Sequence, residues 1–470
     1  MNSWADRWIP TRMRRVAVVA PRASLRDVLV HIADAGCVEL DCGDAGGRDT
    51  LGPAGRRLRS LGSTSAGPLL SPSPPDLDVL CRQGRADLLT GEAQLERYRE
   101  AAVPRGEVAA LAGWCPAADV ERLSTLLAGT GGSVVPLRTP GGAEPPTLLS
   151  DTGRLRRSSA PLVRTYGTVP YADVDPTLPA GLAYVVMFGM MFGDAGHGLL
   201  LLAGAMLLRS GHTGRWPSLR PAWPFLAAAG LTSVMAGLAY GEFFGPTGLL
   251  PVLWLDPMDQ PLRLLATAVG FGAVLLAAAY AAGIVNRWRE GGPARALYAA
   301  SGLAGATVFL GLALLALGVV ARLPALTGAG LVVAPAGLVL TGAGLHAASG
   351  GGMSGAFQTG IQLFDVVVRI GSNTVSFARL AAFGLTHAAL GAIVWQATTA
   401  LAGSGPAAAA AAVLVFLIGN ALTFALEALV AGVQALRLEF YELFSRVFDA
   451  QGRPFRPWHV PTQPRTEVTS

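Results

Sequence analysis

Residues 361–390 read IQLFDVVVRIGSNTVSFARLAAFGLTHAAL. The stretch is mainly apolar and exceeds the about 20 residues that a membrane-spanning helix requires. Taken as one helix with about 100° per residue, it places its polar side chains within a sector about 80° wide. These side chains are Asp365, Arg369, Ser372, Ser376 and Arg379. Because charges in lipid are costly, the segment predicts a spanning helix whose polar stripe lines water or faces a partner.

A simpler interpretation of this stripe stays open. Asp365 and Arg369 have the i,i+4 spacing of a surface ion pair at the membrane interface. Arg379 would then only extend its long side chain toward the headgroups. Arg379 lies far inside the apolar run, which makes that extension costly and favours the aqueous path.

A second polar stripe occurs in the last apolar segment, residues 413–448. Its members, again within a sector about 80° wide, are Glu427, Gln434, Arg437 and Tyr441. Arginine does not deprotonate in apolar surroundings. Two arginines on neighbouring spans, each with a carboxylate on its own helix, therefore suit a device that handles a moving negative charge.

The composition divides the chain into two regimes. The 470 residues are 51% hydrophobic and 14% charged, which is typical of a membrane protein. Residues 1–170 carry 39 Asp, Glu and Arg, whereas the rest of the chain carries 28. We predict a cytoplasmic α/β region over 1–170, a transmembrane domain over 171–449 and a cytoplasmic C-terminal tail over 450–470.

The polar region opens with a β-rich run, a helix after Ser24 and a short strand beyond Gly36. The stretch Gly52–Pro75 reads as a loop, and about Asp76–Glu100 reads as a polar helix. Residues 107–137 repeat the rhythm of strand, turn, helix and strand. Pro116 is expected just inside the start of that second helix. The two patterns predict two small α/β lobes.

Eight spans are predicted in the apolar region. Between Pro179 and Leu208, the only potentially charged side chains are Asp194 and His197. A helix of this length overshoots a bilayer core of about 30 Å, so one bent helix or two short spans fit. The glycine-rich break MFGDAGHG favours two. Later candidates centre near residues 233, 274, 309, 336, 388 and 420.

The placement of arginines predicts how the chain is oriented in the membrane. Basic clusters follow the second, fourth and eighth spans, and basic residues concentrate in loops that stay in the cytoplasm. Both termini are therefore expected on the cytoplasmic side. The first 20 residues lack the pattern of a signal peptide.

Several chemistries are not expected. All 36 basic residues are arginine and the net charge is only +5, which gives little reason to expect a nucleic-acid partner. The cysteines form no CxxC pair, so we expect reduced thiols and no metal site; they are Cys37, Cys42, Cys81 and Cys115. The sequence has no phosphate-binding GxxxxGK[ST] motif and no catalytic signature, so neither a cofactor nor catalytic residues are expected.

Two C-terminal segments resemble the last two membrane helices of subunit a, also called subunit I, of V-type and A-type ATPases. They are SNTVSFARLAAFGLTHAAL and LEALVAGVQALRLEFYELFSRVFDAQGRPFRP. MFGMMFGDAGHG is similar to the family's first hairpin, GLAYGEFFG to the end of its third span, and LAGWCP with PPTLL to its cytoplasmic lobe. The resemblance implies an α-helical polytopic membrane protein with about eight transmembrane helices, the last two long and tilted.

The resemblance also implies site residues. Arg379 and Arg437 would be the paired arginines that face a rotating ring of small c/K subunits. Further residues in or beside two ion half-channels would be His387, Glu427, Gln434 and Asp365. Residues with a possible channel or structural role are Ser376, Glu442, Asp194, His197 and Glu242.

Plainer roles stay open for some of these residues. A lone histidine such as His387 is often a packing residue on an apolar helix. Asp194 and His197, in a glycine-flanked turn, also suit the capping of two short helices. Glu242 closes the third span and belongs either to an outer channel mouth or to the membrane interface.

By the same resemblance, the chain would be a non-catalytic subunit in the bacterial plasma membrane. Its partners would be the c/K ring, peripheral stalks of E/G type, central-rotor subunits, an ATP-hydrolysing A/B head and the lipid bilayer. The family's long coiled-coil arm is much shortened here, because no sustained heptads occur before residue 170.

Two other classes of function fit parts of the sequence. Eight spans with intramembrane charges also suit a secondary ion-coupled transporter, although no internal repeat is visible. A membrane-anchored sensor would use the α/β lobes to bind a ligand, but no ligand motif supports it.

Overall fold

The computed structural model describes residues 9–41, 52–62, 67–149, 153–211, 217–299, 301–350, 352–402, 405–448 and 451–463. The chain divides into two compact units. The first, here called the sheet unit, combines Ile9–Ser150 with Gly452–Ser470. The second, the helical unit, is formed by Asp151–Gln451. The division lies before the predicted boundary at residue 170, and the C-terminal residues belong to the sheet unit.

Five strands form one sheet in the sheet unit. They are β1 (Met13–Pro21), β2 (Glu39–Leu40), β3 (Val103–Arg105), β4 (Val108–Pro116) and β5 (Ser133–Pro136). The order is β2-β4-β1-β5, with β3 also paired to β4, and all pairs are antiparallel. Because β1 of the first predicted lobe pairs with β4 and β5 of the second, the prediction of two separate lobes is wrong.

Helices cover this sheet. They are α1 (Leu25–Ala35), α2 (Pro53–Ser60), α3 (Leu77–Arg82), α4 (Ala86–Ala101) and α5 (Val120–Ala128). Alternate residues of β1, including Val16 and Val18, are buried against Leu29 and Ile32 of α1. This is the period of two expected for a strand with one covered face. The predicted helix after Ser24 and strand beyond Gly36 are confirmed.

Three local predictions need correction. The predicted loop Gly52–Pro75 contains α2, which begins with proline at its first position, where no amide hydrogen is needed. The predicted helix over Asp76–Glu100 is two helices, because Gly84 has φ +68° between them. Pro116 ends β4 and does not begin α5.

The C-terminal residues pack into the sheet unit. Trp458 donates its backbone N–H to Val38 O at 2.9 Å and its indole N–H to Gln94 at 3.0 Å. Its ring lies 4.4 Å from that of Tyr98. Val460 N donates to Ala33 O at 3.1 Å. The segment therefore completes the hydrophobic core of this unit.

In the helical unit, an amphipathic helix is followed by apolar ones. They are α6 (Arg154–Tyr166), α7 (Thr177–Met191), α8 (Ala195–Ser210), α9 (Trp223–Tyr240), α10 (Pro261–Tyr298), α11 (Leu303–Val320), α12 (Pro324–Ala348), α13 (Gly352–Ser376), α14 (Ala378–Leu401) and α15 (Pro406–Leu438). A 3-10 helix, Pro217–Ala222, precedes α9, and a π-helical turn, Glu439–Phe444, with Ser445–Val447 continues α15.

Within the described residues, six helical segments are long and apolar enough to cross a membrane, with α13 and α14 counted as one segment. The shorter apolar helices α7 and α8 join them. The chain is thus a helical polytopic membrane protein, as predicted. Residues 179–208 form two short helices and not one bent helix.

Helix α13 and helix α14 are not one continuous helix. Near Phe377 the backbone makes i,i+3 hydrogen bonds, which span one residue fewer than the i,i+4 bonds of an α-helix. They run from Phe377 N to Thr374 O and from Leu380 N to Phe377 O. The Phe377 ring is fully buried against Gly272 of α10, where an added Cβ would lie 2.1 Å from the ring. The single-helix register assumed for residues 361–390 is therefore interrupted just before Arg379.

A buried polar cluster joins the start of α7 to α6 and α10. Arg156 pairs with Asp175 at 3.0 Å, and Asp175 accepts hydrogen bonds from the backbone and hydroxyl of Thr177. Nearby, Asp173 is fully buried. Burial, and then the neighbouring Glu290 carboxyl, raise the pKa of Asp173 to about 7.

Asp173 predicts a pH dependence of stability. Its pKa in the folded protein lies above the ordinary value of 3.8, so the folded state favours the protonated form. Its contribution to stability is present below about pH 4 and is lost as pH rises through about 7. In detergent, the unfolding temperature of wild type should fall between pH 5 and 8 by more than that of Asp173→Asn. Equal pH slopes would contradict this expectation.

The burial of the Trp458 ring predicts that the C-terminal segment stays packed in the sheet unit only while this ring is present. Trp458→Ala removes a large buried ring, a change that costs about 3–5 kcal/mol in protein cores. Amide hydrogen exchange of residues 455–463 in the full chain should become much faster. Trp254→Ala serves as the matched control because that ring is 53% exposed. Unchanged protection in Trp458→Ala would argue against the packing.

Candidate functional site

The break between α7 and α8 is held by Asp194. Its carboxylate is fully buried and accepts from the backbone N–H groups of His197 at 2.8 Å, Phe244 at 3.0 Å and Gly245 at 2.8 Å. Asp194 is therefore the N-cap of α8 and also anchors the loop that follows α9. The structural role considered for Asp194 is present in the structure.

A group of buried polar residues, the histidine cluster, surrounds this break: Asp194, His197, His387 and Glu427. His387 Nδ1 of α14 is hydrogen-bonded to the Glu427 carboxylate of α15. The His197 and His387 rings lie 5.6 Å apart, and both ring nitrogens of His197 lack a hydrogen-bond partner within the described residues. His387 is thus joined to a carboxylate and is not only a packing residue.

The histidine cluster has the donor types of a metal site. One ligand atom each of Asp194, His197 and His387 lies within 4.8 Å of the others. The two Asp194 oxygens already accept three backbone hydrogen bonds, however. The carboxylate is therefore committed to the helix cap, and the set is better suited to hydrogen bonding than to metal binding.

Glu242 follows α9 and is 5% exposed. Its backbone O accepts from Ala195 N at 3.0 Å, so it sits beside the same helix break. The charges of His387 and Asp194 are among those that act on its carboxyl group. This position places Glu242 next to the histidine cluster, and both interpretations of Glu242, channel mouth or membrane interface, stay predictions.

A second polar group, the glutamate cluster, consists of Asn373, Ser376, Glu442 and Arg446. Ser376 Oγ donates to Glu442 Oε1 at 2.5 Å. With its amide oriented to satisfy both neighbours, Asn373 donates to Glu442 at 3.3 Å and accepts from Arg446 at 3.1 Å. Arg446 also lies 5.5 Å from the centre of the Tyr280 ring. The buried Glu442 carboxylate is thereby hydrogen-bonded on both oxygens.

The two clusters lie at different levels of an antiparallel helix pair. His387 of α14 contacts Glu427 of α15, whereas Ser376, just before α14, contacts Glu442, just after α15. Arg379 and Arg437 fall between these two contacts along their helices. At about 1.5 Å per residue, Arg379 lies about 12 Å from the level of His387.

The arginines between the clusters differ in environment. Arg379 is partly buried, and its Nη1 atom has no hydrogen-bond partner among the described residues. Arg437 is exposed. The Gln434 side-chain oxygen, one helical turn away, is buried and likewise unpaired within the described residues. Arg379 thus presents a charge that the described chain does not neutralise by direct pairing.

Asp365 is not brought to this site. It forms an i,i+4 pair with Arg369 at 2.5 Å, and both side chains are more than half exposed. This geometry matches the surface pair considered from the sequence. The interruption at Phe377 separates the pair from Arg379.

Three residues of the site were not predicted from the sequence. Asn373 and Arg446 belong to the glutamate cluster, and Glu439 is fully buried with neither oxygen paired among the described residues. Glu439 and Glu442 lie in the π-helical turn, a feature frequent at functional sites. The only signal in the sequence was the charge density at the end of the last apolar run.

Comparisons of the sequence with known proteins match it to a family. The model of the V-type ATPase 116kDa subunit family matches residues 102–247 and 358–460, more than half of the chain. These ranges include Asp194, Glu242, Arg379, His387 and Glu427.

Individual relatives of the chain agree with this family match. An A-type ATP synthase subunit I of Pyrococcus horikoshii is 28% identical over 63% of this chain and 45% of its own length. One of Aeropyrum pernix is 26% identical over 79% of this chain and 61% of its own length. A V-type ATP synthase subunit I 2 of Treponema pallidum is 34% identical over 34% of this chain and 38% of its own length. The chain spans about half the length of the relatives it matches, and it belongs to the V-type ATPase 116kDa subunit family.

Proposed function

We propose that the chain is the static membrane subunit of a rotary V- or A-type ATPase, where it forms two ion half-channels around Arg379. The observation that carries the proposal is the order of groups along α14 and α15. Polar clusters join the two helices at two levels, and arginines lie between these levels. Family membership favours this role over a secondary transporter.

The charge between the clusters explains how net transport would arise. A rotor carboxylate that carries a proton is neutral and passes through lipid at little cost. Opposite Arg379, the ionised carboxylate is favoured and the proton leaves. Because arginine stays positive, it blocks direct passage of a cation from one half-channel to the other.

The two clusters would supply the half-channels. The histidine cluster, with Glu242 nearby, offers groups that accept and donate protons at one level. The glutamate cluster offers a buried carboxylate and a hydroxyl at the other level. Ions entering through one cluster would leave through the other only after the rotor has turned.

An exposed face of α15 fits a moving partner. Apolar residues at helical spacing are exposed on this helix: Leu422, Leu426, Leu429 and Val433. Arg437 and Tyr441 continue the same spacing and are exposed as well. A smooth apolar face with one arginine suits a ring of small c/K subunits, each with one carboxylate.

The remaining partners follow from the same proposal. Peripheral stalks of E/G type would hold the sheet unit, and central-rotor subunits with an A/B head would drive or use rotation. The chain itself would hydrolyse no ATP. The complex would lie in the bacterial plasma membrane with the sheet unit in the cytoplasm.

Arg379 provides the direct test. In vesicles that contain the assembled complex, Arg379→Gln should reduce ATP-driven ion uptake to below about one tenth, since a loss of 1.4 kcal/mol already changes a rate tenfold. Uptake is measured by fluorescence quenching of a pH dye, and by sodium-22 uptake for a sodium-driven complex. Co-purification of the other subunits confirms assembly.

The matched control is Arg369→Gln, which removes the same charge from an exposed pair on α13. This variant should retain most of the uptake. Normal ATP-driven uptake in Arg379→Gln, with an intact complex, would contradict the proposed function.

A further inference from the structure

Four arginines line a cavity of about 650 Å³ in the helical unit, here called the arginine cavity. Arg154 and Arg157 come from the first turn of α6, Arg209 from the last turn of α8, and Arg220 from the 3-10 helix before α9. Trp223, at the start of α9, completes the wall. None of these residues belongs to the histidine or glutamate cluster.

Within the described part of the chain, the charges of the arginine cavity have no counterion. Among the described residues, none of the four arginines forms an ion pair, and all four are exposed. Arg209 lies over the Trp223 ring at 5.1 Å, which holds its guanidinium in place. Four like charges that converge on one space repel each other unless an anion joins them. Guanidinium groups bind phosphate oxygens with paired hydrogen bonds.

The position of the arginine cavity indicates which kind of phosphate it takes. It lies where the apolar helix α8 ends and the candidate membrane span Pro217–Tyr240 begins. Exposed apolar side chains continue from it along these elements, namely Met206, Leu207 and Leu219. Tryptophan at this level is typical of the interface between lipid and water. A headgroup in the cavity would therefore leave its acyl chains against an apolar surface.

We propose that the arginine cavity binds the phosphodiester headgroup of an anionic glycerophospholipid from the leaflet at this end of α8 and α9. The volume is within the range of ligand pockets, about 300–1,000 Å³. The lipid phosphate would neutralise arginines from three separate elements. It would thereby bridge α6 to the α8–α9 hairpin. This site does not depend on the proposed ion path.

Native mass spectrometry of the full chain in detergent tests the proposal. The protein is titrated with dioleoyl phosphatidylglycerol, dioleoyl phosphatidylcholine and glycerol 3-phosphate. Wild type should bind phosphatidylglycerol in preference to the other two. Each basic group contributes about fivefold to the affinity for an anionic lipid. Arg157→Gln/Arg220→Gln should therefore weaken phosphatidylglycerol binding roughly thirtyfold.

The control is Arg263→Gln/Arg289→Gln, which removes the same net charge at exposed positions outside the arginine cavity. The affinity of this control variant for phosphatidylglycerol should stay within about twofold of the wild-type affinity. If Arg157→Gln/Arg220→Gln no longer elutes as a single peak in size-exclusion chromatography, Arg154→Gln/Arg209→Gln replaces it.

Three outcomes would overturn the proposal. One is equal binding of phosphatidylcholine, which would mean that charge plays no part. The second is unchanged phosphatidylglycerol affinity in a folded cavity variant. The third is binding of glycerol 3-phosphate as strong as that of the lipid, which would identify a soluble phosphate and not a membrane lipid as the ligand.

Discussion

The polar contacts between α14 and α15 are the constraint on which the rest of the membrane site depends. An ionised carboxylate inside an apolar helix bundle is costly without a partner. Glu427 has His387 of the facing helix, and Glu442 has Ser376 and Asn373. Sliding one helix along the other would break both sets at once and leave buried charges unpaired. The level of the arginines is therefore set by contacts made on either side of them.

Other elements contact this helix pair along its length. Tyr184 of α7 donates to Gly432 O of α15 at 3.0 Å. Asp194 ties the start of α8 to the loop after α9, beside the histidine cluster. On the opposite side, Gly272 of α10 admits the Phe377 ring next to Arg379. Gly432 and Gly272 have no side chain, and this lets apolar helices approach closely, as is common for packed membrane helices.

Local patterns predicted much of this structure. Apolar length identified the spanning helices, and the glycine-rich break identified the two short ones. Pairing between distant segments was not predictable, because strand pairing depends on contacts far apart in sequence. The single sheet was therefore missed.

The site itself was predicted in part. Arg379, His387 and Glu427 were chosen from helical spacing and from resemblance to a family, and the structure places them on facing helices. Helical spacing also included Asp365, because a regular helix was assumed across Phe377. Asn373 and Arg446 were missed because they contact each other across a long stretch of chain, and Asn373 also contacts Glu442, which is equally distant from it in sequence.

The packing of Trp458 and Val460 into the sheet unit has a consequence for the order of folding. Of the described residues, 9–149 and 452–463 belong to the sheet unit, and the helical unit lies between them in sequence. The hydrophobic core of the sheet unit can therefore be completed only after the membrane helices have been synthesised.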